Sequence, residues 1–206
     1  MKNLIKLLLL ISLLTGSVSV KAQSLDLRLL QSINGPVNPG PDSRWRFVSN
    51  SMAPMALAEP LGLLIAGQLG HNDYLKQQAL VGLVAIGGSV VVSTALKVVT
   101  HRERPYLAYP DLITGKQGPT DYSFPSGHAS VAFATATSLS LAIPKWYVIV
   151  PSYTYAATVG YSRMYLGVHY PSDVLGGAIL GSGTAYLTYK ANQWLRKKYK
   201  HQPKGY

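Results

Sequence analysis

The stretch that decides the fold is residues 79–99, ALVGLVAIGGSVVVSTALKVV, an apolar run in which Lys97 is the only charged residue. Its length of about 20 residues is what a helix needs to cross the hydrocarbon core of a bilayer. Four shorter apolar segments accompany it, and their Ala, Leu and Gly content favours helix over strand. They cover residues 53–69, 129–143, 146–161 and 174–189. The sequence therefore predicts an all-α protein in which these segments pack as a helical bundle.

The composition leans towards a membrane protein without deciding the matter. Hydrophobic residues make up 48% of the 206 residues and charged residues 13%, whereas about a quarter of a typical soluble protein is charged. The shorter apolar segments carry Ser, Thr and Tyr, so the buried helices of a soluble bundle fit them as well. The chain contains no cysteine, which excludes disulfides, thiolate metal sites and thiol catalysis.

The basic residues give a formal net charge of +11, but they are not spread as a stripe that would bind nucleic acid. A group of them crowds the C-terminus: Arg196, Lys197, Lys198, Lys200 and Lys204. Such a tail is typical of the cytoplasmic side of a membrane protein. If all five apolar segments cross a membrane from an outside start, Lys145 and this tail fall inside, and the loops at 102–124 and 163–173 fall outside. This agreement favours spanning helices.

The N-terminus has the features of a secretory signal peptide over residues 1–22. Lys2 and Lys6 precede the apolar run 7–14, and residues 20–22, Val-Lys-Ala, form a small-residue cleavage site. An uncleaved signal anchor fits the same residues. In both cases the chain that follows begins on the far side of the membrane.

The remaining chain divides into an N-terminal segment, a helical domain and a tail. Within the segment we expect a short amphipathic helix at 24–30 and a Gly- and Pro-rich break at 34–41. The predicted parts are a signal peptide or anchor (1–22), an extracytoplasmic segment (23–52), a helical domain (53–190) and a basic tail (191–206).

Three polar clusters lie at the predicted outer ends of apolar segments. In the first, Lys97 and Arg104 are seven residues apart, so on a helix they would lie within about 20° of one face. Pro105 disfavours helix at the residue before it, which frees Arg104 to turn towards a site. Two fixed cations suit an oxyanion such as phosphate. Cations that extend to the membrane surface fit this cluster equally well.

The second cluster is residues 124–128, Phe-Pro-Ser-Gly-His, before a helix that begins near Ala129. Ser126 is a good N-cap, and Gly127 lets a ligand approach the backbone closely. Free amides at a helix N-terminus attract an anion, which would place it beside His128. Taken alone, the same residues also fit a capped helix with an incidental histidine.

The third cluster joins Ser162-Arg163 to His169 and Asp173. His169 and Asp173 are four residues apart, a spacing at which a carboxylate reaches an imidazole N–H on one helical face. Pro171 makes a turn or a helix start equally compatible with the sequence. An imidazole oriented by Asp has its other nitrogen free to act as a nucleophile or base. A purely structural His–Asp hydrogen bond is the alternative.

Together the three clusters resemble the tripartite signature of the type 2 phosphatidic acid phosphatase superfamily. That signature has Lys, six intervening residues and Arg-Pro, then Pro-Ser-Gly-His, then Ser-Arg, five residues, His, three residues and Asp. Every defining position is present between Lys97 and Asp173. The resemblance implies an all-α bundle with five or six membrane-spanning helices.

The resemblance also implies a role for each signature residue. His169 would attack phosphorus, Asp173 would fix its tautomer, and His128 would protonate the leaving group and then activate water. The oxygens of the phosphate would be held by Lys97, Arg104, Ser126, Gly127 and Arg163. No cofactor and no metal are implied. Because His169 must be neutral and His128 protonated, we expect a bell-shaped rate profile near mildly acidic or neutral pH.

The expected function is therefore a metal-independent phosphatase that acts on phosphate monoesters or diphosphates of membrane lipids through a phosphohistidine. The partners are the membrane and a phosphorylated lipid such as a phospholipid, a prenyl diphosphate or a lipid A head group, with no nucleic acid. The expected location is the bacterial inner membrane, with the site facing the periplasm. A soluble periplasmic acid phosphatase with the same site is the main alternative. A vanadate-dependent haloperoxidase and a lipid-binding protein with a decayed site are weaker ones.

Overall fold

The computed structural model describes residues 25–118 and 121–200, and the regular structure within them is α-helical. The predicted signal peptide and residues 201–206 of the predicted tail lie outside the described residues. The helices are α1 (25–33), α2 (Pro39–Asn50), α3 (Met52–Leu69), α4 (Asp73–Thr100), α5 (Pro105–Ala108), α6 (Gly127–Ala142), α7 (Trp146–Tyr165) and α8 (Pro171–Lys200). The predicted all-α fold is confirmed.

Helix α6 lies at the centre of the bundle, with α4, α7 and α8 packed around it and α3 against α4. Its sequence is rich in Ala and Ser, and small side chains allow neighbouring backbones to approach closely. The closest approach is to α8, where a Cβ added to Gly181 would lie 2.0 Å from the carbonyl oxygen of Ser130. A side chain larger than hydrogen at this position would force the two helices apart.

The five predicted apolar segments correspond to α3, α4, α6, α7 and α8, with one correction upstream. The predicted break at 34–41 ends early, because α2 begins at Pro39. Proline is tolerated at the start of a helix, where its missing N–H would have no partner in any case. The sequence of α2, PGPDSRWRFVSN, is short and mostly polar, so no apolar segment predicted a helix there.

The outer surface of the bundle carries many exposed apolar side chains. Two helical stretches of the described residues, Pro39–Leu69 and Asp73–Ala108, are long and apolar enough to cross a membrane. Side chains more than half exposed include Leu61, Ile65, Val84, Val91, Val150, Ile179 and Leu187, which belong to α3, α4, α7 and α8. A large exposed apolar surface is what a helical bundle presents to lipid. The predicted number of five or six spans remains a prediction.

The N-terminal segment packs against the end of the bundle at which α4 and α7 finish. Asn34 joins three backbone groups: its amide donates to the carbonyl oxygens of Thr114 (3.0 Å) and Tyr165 (2.9 Å), and its oxygen accepts from Thr114 N (2.8 Å). Leu30 of α1 is fully buried and packs with Ile113 and Tyr170. These contacts fix the loop after α5 against the connection between α7 and α8.

Candidate active site

Lys97 and Arg104 converge on one carboxylate, although not through a shared helical face. Helix α4 ends at Thr100 because His101 adopts a left-handed conformation with φ of 50°. Arg104 therefore lies beyond the helix, as Pro105 predicts, and the two cations do not share a helical face. The turn instead brings both to Asp121: Lys97 Nζ is 2.7 Å from Oδ2, and the Arg104 guanidinium bonds to Oδ1.

The Arg104 guanidinium is buried between the loop and the nucleophile candidate. Nε donates to the carbonyl oxygen of Asp121 (2.7 Å) and Nη1 to that of Val168 (2.8 Å). Nη1 also lies 3.2 Å from Nε2 of His169. A guanidinium only donates hydrogen bonds, so Nε2 must be the acceptor. The neutral imidazole therefore carries its proton on Nδ1 and its lone pair on Nε2.

His169 lies in the short connection before α8, and Pro171 starts that helix. The helix-start alternative is thus the correct one for this cluster. Nδ1 of His169 is 3.4 Å from Oδ2 of Asp173, close enough for an ion pair, although it makes no hydrogen bond in this geometry. Burial lowers the pKa of His169 well below its usual value, and the nearby charges of Arg104 and other cations lower it further. His169 is therefore neutral.

Arg163 in the last turn of α7 is the third cation of the site, and it is buried. Its Nη1 donates to the side chains of Ser49 on α2 and Gln117 in the loop, the latter at 2.8 Å. Its Nε has no hydrogen-bond partner. Arg163 therefore keeps a donor that a bound anion could accept.

The Pro-Ser-Gly-His stretch forms the start of α6, as its sequence predicts. Ser126 is the N-cap, and its Oγ accepts from Ala129 N at 3.4 Å. A Cβ added to Gly127 would meet nothing within 4 Å, so the space above this residue is open. His128 lies in the first turn, where burial and the nearby charge of Arg163 lower its pKa to about 3, so its imidazole is neutral at neutral pH while no anion is bound. Because the Ser126 hydroxyl caps the helix, its role in binding phosphate stays a prediction.

Three cations, Lys97, Arg104 and Arg163, form a cation cluster. Asp121 and Gln117 bond to these cations, and sequence reasoning missed both. Partial burial opposes ionisation of Asp121, but the hydrogen bonds and charges of Lys97 and Arg104 outweigh it and lower its pKa to about 2. The only sequence feature that marks Asp121 and Gln117 is that an acidic and an amide side chain lie in a loop near several cationic residues. No fixed spacing links them to the signature.

A cavity of about 450 Å³ adjoins the cluster between α4 and α6. Lys97, Asp121 and Gly127 line its polar part. The other lining residues are Met52, Val90, Ser93, Thr94, Val98, Tyr122 and Val131. A charged group beside a mainly apolar wall suits a ligand with a phosphorylated head and a hydrocarbon chain.

Within residues 25–118 and 121–200, no group of three or more His, Asp or Glu side chains is placed to hold a metal ion. Metal independence therefore stays a prediction. The cluster instead supplies cationic and imidazole groups, which suit binding of an anion.

Comparisons with known proteins agree with this chemistry. An undecaprenyl-diphosphatase from Sulfolobus acidocaldarius is 39% identical over 100 residues, which cover 48% of this chain and 48% of the relative. The chain thus spans about half the length of that relative. A lipid A 4'-phosphatase from Bacteroides thetaiotaomicron is 29% identical over 178 residues, or 80% of this chain and 76% of the relative.

Two solved structures share the fold. LpxE from Aquifex aeolicus superposes with a TM-score of 0.65 at 29% identity, over 81% of this chain and 95% of LpxE. A PAP2-type phosphatidylglycerolphosphate phosphatase from Bacillus subtilis gives a TM-score of 0.67 at 24% identity, over 84% of this chain and 87% of that protein. The family model of the PAP2 superfamily matches residues 78–197, more than half of the chain. The chain therefore belongs to the PAP2 superfamily.

Proposed function

We propose that this protein is a metal-independent phosphatase that hydrolyses phosphate monoesters or diphosphates of membrane lipids through a phosphohistidine at His169. The family and the names of the relatives make it a phosphoric ester hydrolase. One observation supports the mechanism most strongly: Lys97 and Arg104 bind the two oxygens of the Asp121 carboxylate beside Nε2 of His169. A phosphoryl group would place two of its oxygens on the same donors.

The first half of the reaction transfers the phosphoryl group to the enzyme. As Arg104 Nη1 moves from Nε2 of His169 to a phosphoryl oxygen, the freed Nε2 lone pair forms a bond to phosphorus, and the bond from phosphorus to the leaving oxygen breaks. The charge of the bound phosphate offsets the cations that hold the pKa of His128 low, so His128 binds a proton in the complex and gives it to that oxygen. The imidazole of His169 becomes cationic as the bond forms, and the Asp173 carboxylate beside Nδ1 stabilises that charge.

The second half releases inorganic phosphate. His128, now neutral, takes a proton from water, and the water oxygen bonds to phosphorus while the P–N bond to His169 breaks. Lys97, Arg104 and Arg163 balance the negative charge of the equatorial oxygens in both steps. Phosphoryl transfer depends mainly on positioning and charge stabilisation, so this cation set serves the chemistry without a metal.

A lipid substrate is supported by the surroundings of the site. The adjoining cavity joins the cation cluster to apolar side chains of α4 and α6. The two relatives are named for prenyl diphosphate and lipid A substrates. The exposed apolar surface of the bundle favours an enzyme embedded in lipid over the soluble alternative.

The direction of the helices supports the proposed orientation. Helix α7 begins beside Lys145 and ends near Arg163, and α8 begins near Asp173 and runs to the basic residues around Lys198. The active site and the basic tail therefore lie at opposite ends of the bundle. Since basic ends stay in the cytoplasm, this arrangement supports a site that faces the periplasm from the inner membrane.

The test is phosphate release by the detergent-purified protein, with EDTA and no added metal. The panel comprises phospholipids, prenyl diphosphates, lipid A and water-soluble phosphomonoesters, and His169→Ala is the active-site variant. His71→Asn is the matched control, because His71 is an exposed histidine between α3 and α4, away from the site, in a left-handed conformation that Asn tolerates.

EDTA-resistant activity on a lipid that disappears in His169→Ala and persists in His71→Asn would support the proposal. Preference for soluble monoesters, together with release from membranes by carbonate, would favour the soluble alternative. Activity that requires metal or survives in His169→Ala would contradict the mechanism.

A further inference from the structure

We propose that Arg102 and Asp26 are positioning residues for this reaction, which hold the Asp173 carboxylate in place against the His169 ring. The inference rests on the proposed role of His169 as the nucleophile. Neither residue belongs to the three-part signature, and Asp26 lies in α1, outside the residues that match the family. The N-terminal helix thus contributes to the active site.

The buried carboxylate of Asp173 depends on its protein contacts to balance its negative charge. Its side chain has no solvent exposure, so neither oxygen is hydrated. Oδ1 accepts from Arg102 Nη1 at 2.6 Å. Oδ2 accepts from Tyr170 N at 2.9 Å and lies 3.4 Å from Nδ1 of His169. A buried carboxylate stays ionised only where a cation and hydrogen bonds balance its charge, and Arg102 is the cation in direct contact.

Asp26 fixes the other side of the Arg102 guanidinium. Its Oδ2 is 2.7 Å from Arg102 Nη2, and its side chain is 8% exposed. Oδ1 accepts from Ser172 N at 2.8 Å, and the Ser172 hydroxyl also bonds to the carboxylate. Since Pro171 starts α8, Ser172 N is an amide of the first turn that has no partner within the helix. Asp26 therefore anchors both the guanidinium and the turn that carries Asp173.

Arg102 itself has little freedom to move. It donates to Ser172 Oγ at 2.7 Å, and its guanidinium lies 4.0 Å from the centre of the Tyr170 ring. The planar guanidinium bridges two carboxylates at once, which a lysine ammonium on a flexible chain does less well. The Asp26–Arg102–Asp173 chain is therefore a rigid support on the side of His169 opposite to Arg104.

This support has a chemical consequence beyond folding. Nδ1 of His169 lies 3.4 Å from Oδ2 of Asp173, and the ring becomes cationic when Nε2 bonds to phosphorus. Without Arg102 the buried carboxylate would take up a proton more readily or turn away, and the developing charge would lose its partner. The ionisable groups around Asp173 are Arg102, Asp26, Lys97, Tyr170 and His169.

The test measures kcat, KM and the pH profile of detergent-purified Arg102→Gln, Arg102→Lys and Asp26→Asn on the best substrate of the wild-type protein. Asp73→Asn is the matched control, because Asp73 is also an ion-paired aspartate near a helix N-terminus, but exposed and at the far end of α4. Thermal melting establishes that each variant is folded.

In Arg102→Gln we expect kcat to fall by about tenfold to a hundredfold, as when the outer hydrogen-bond partner of a metal-bound histidine is removed, with KM within about twofold. The acid limb of its rate profile moves to higher pH. Asp26→Asn shows the same changes to a smaller degree. Arg102→Lys recovers part of kcat and returns the acid limb towards the wild-type position.

Wild-type kcat and an unshifted acid limb in folded Arg102→Gln and Asp26→Asn, with His169→Ala inactive, would overturn this inference and leave the proposed function standing. A loss of kcat that Arg102→Lys does not reduce, with no shift of the acid limb, would also overturn it. A wild-type protein without phosphatase activity, or an active His169→Ala variant, would contradict the proposed function and this inference together.

Discussion

The family-matched core, residues 78–197, and the N-terminal segment, residues 25–52, contribute to the site in different ways. The core supplies every residue proposed to touch the phosphoryl group. The segment supplies contacts behind those residues: Ser49 bonds to Arg163, and Asn34 joins the loop to the end of α7. A sequence signature therefore identifies the groups that contact a ligand, whereas the placement of these groups also depends on residues outside the signature.

The largest effect is expected in the core. Arg104→Ala should lower kcat/KM by about a hundredfold to a thousandfold, because it removes a fixed donor set from the phosphoryl oxygens and from Nε2 of His169. Arg104→Lys should recover little, since one ammonium cannot reproduce these bonds. Steady-state kinetics measures the loss, with exposed Arg44→Ala on α2 as control. Near-wild-type kcat/KM in Arg104→Ala would show that Arg104 does not bind the phosphoryl group.

In the N-terminal segment the largest effect should be on stability. Asp42 of α2 and Lys116 of the loop form a fully buried ion pair, 3.1 Å apart. Asp42→Asn should destabilise the protein by about 3–5 kcal/mol, because it leaves the ammonium buried without a counter-charge. Thermal or denaturant unfolding in detergent measures this loss. The double variant Asp42→Asn/Lys116→Met should regain much of the stability; equal stability of the single variant and the wild type would contradict the account.

Two groups of the core give stability a defined pH dependence. The pKa of His169 is lowered on folding, so the unfolded chain binds the extra proton and stability falls as pH decreases below about 6.5. The pKa of Asp121 is also lowered, to about 2 from 3.8, so its contribution is present above 3.8 and is lost as pH falls towards 2. Melting temperatures from neutral to acid pH should decline less steeply in His169→Gln and, below pH 4, in Asp121→Asn. Unchanged slopes would contradict these assignments.

The smallest effect is expected from Asp121, the carboxylate that pairs with Lys97 and Arg104. Asp121→Asn should strengthen inhibition by inorganic phosphate by less than about tenfold, because the ion pairs it removes are partly exposed and each is worth about 1 kcal/mol or less. Inhibition constants measured at fixed ionic strength test this change. Weaker inhibition in the variant would show that Asp121 helps anion binding.

The helical class and the three clusters could be predicted from sequence, because apolar length and residue spacing are local properties. The position of Asp121 could not, since 23 residues separate it from Lys97 and no periodicity relates them. The Arg102–Asp26 contact joins residues 76 positions apart. Helix α2 was not predicted because it is short and mostly polar, and Lys97 and Arg104 share no helical face because His101 ends α4.

The central claim is that His169 carries the phosphoryl group, and trapping that intermediate tests it most directly. An aryl phosphate needs no acid to expel its leaving group, so a His128→Ala variant should still transfer the phosphoryl group to His169. The variant should hydrolyse this phosphohistidine slowly, because it lacks the base that activates water. We predict one phosphoryl group per protein, stable in base and labile in acid, which peptide mass spectrometry locates on His169. Turnover of the aryl phosphate without such an adduct, or an adduct on another residue, would contradict the account.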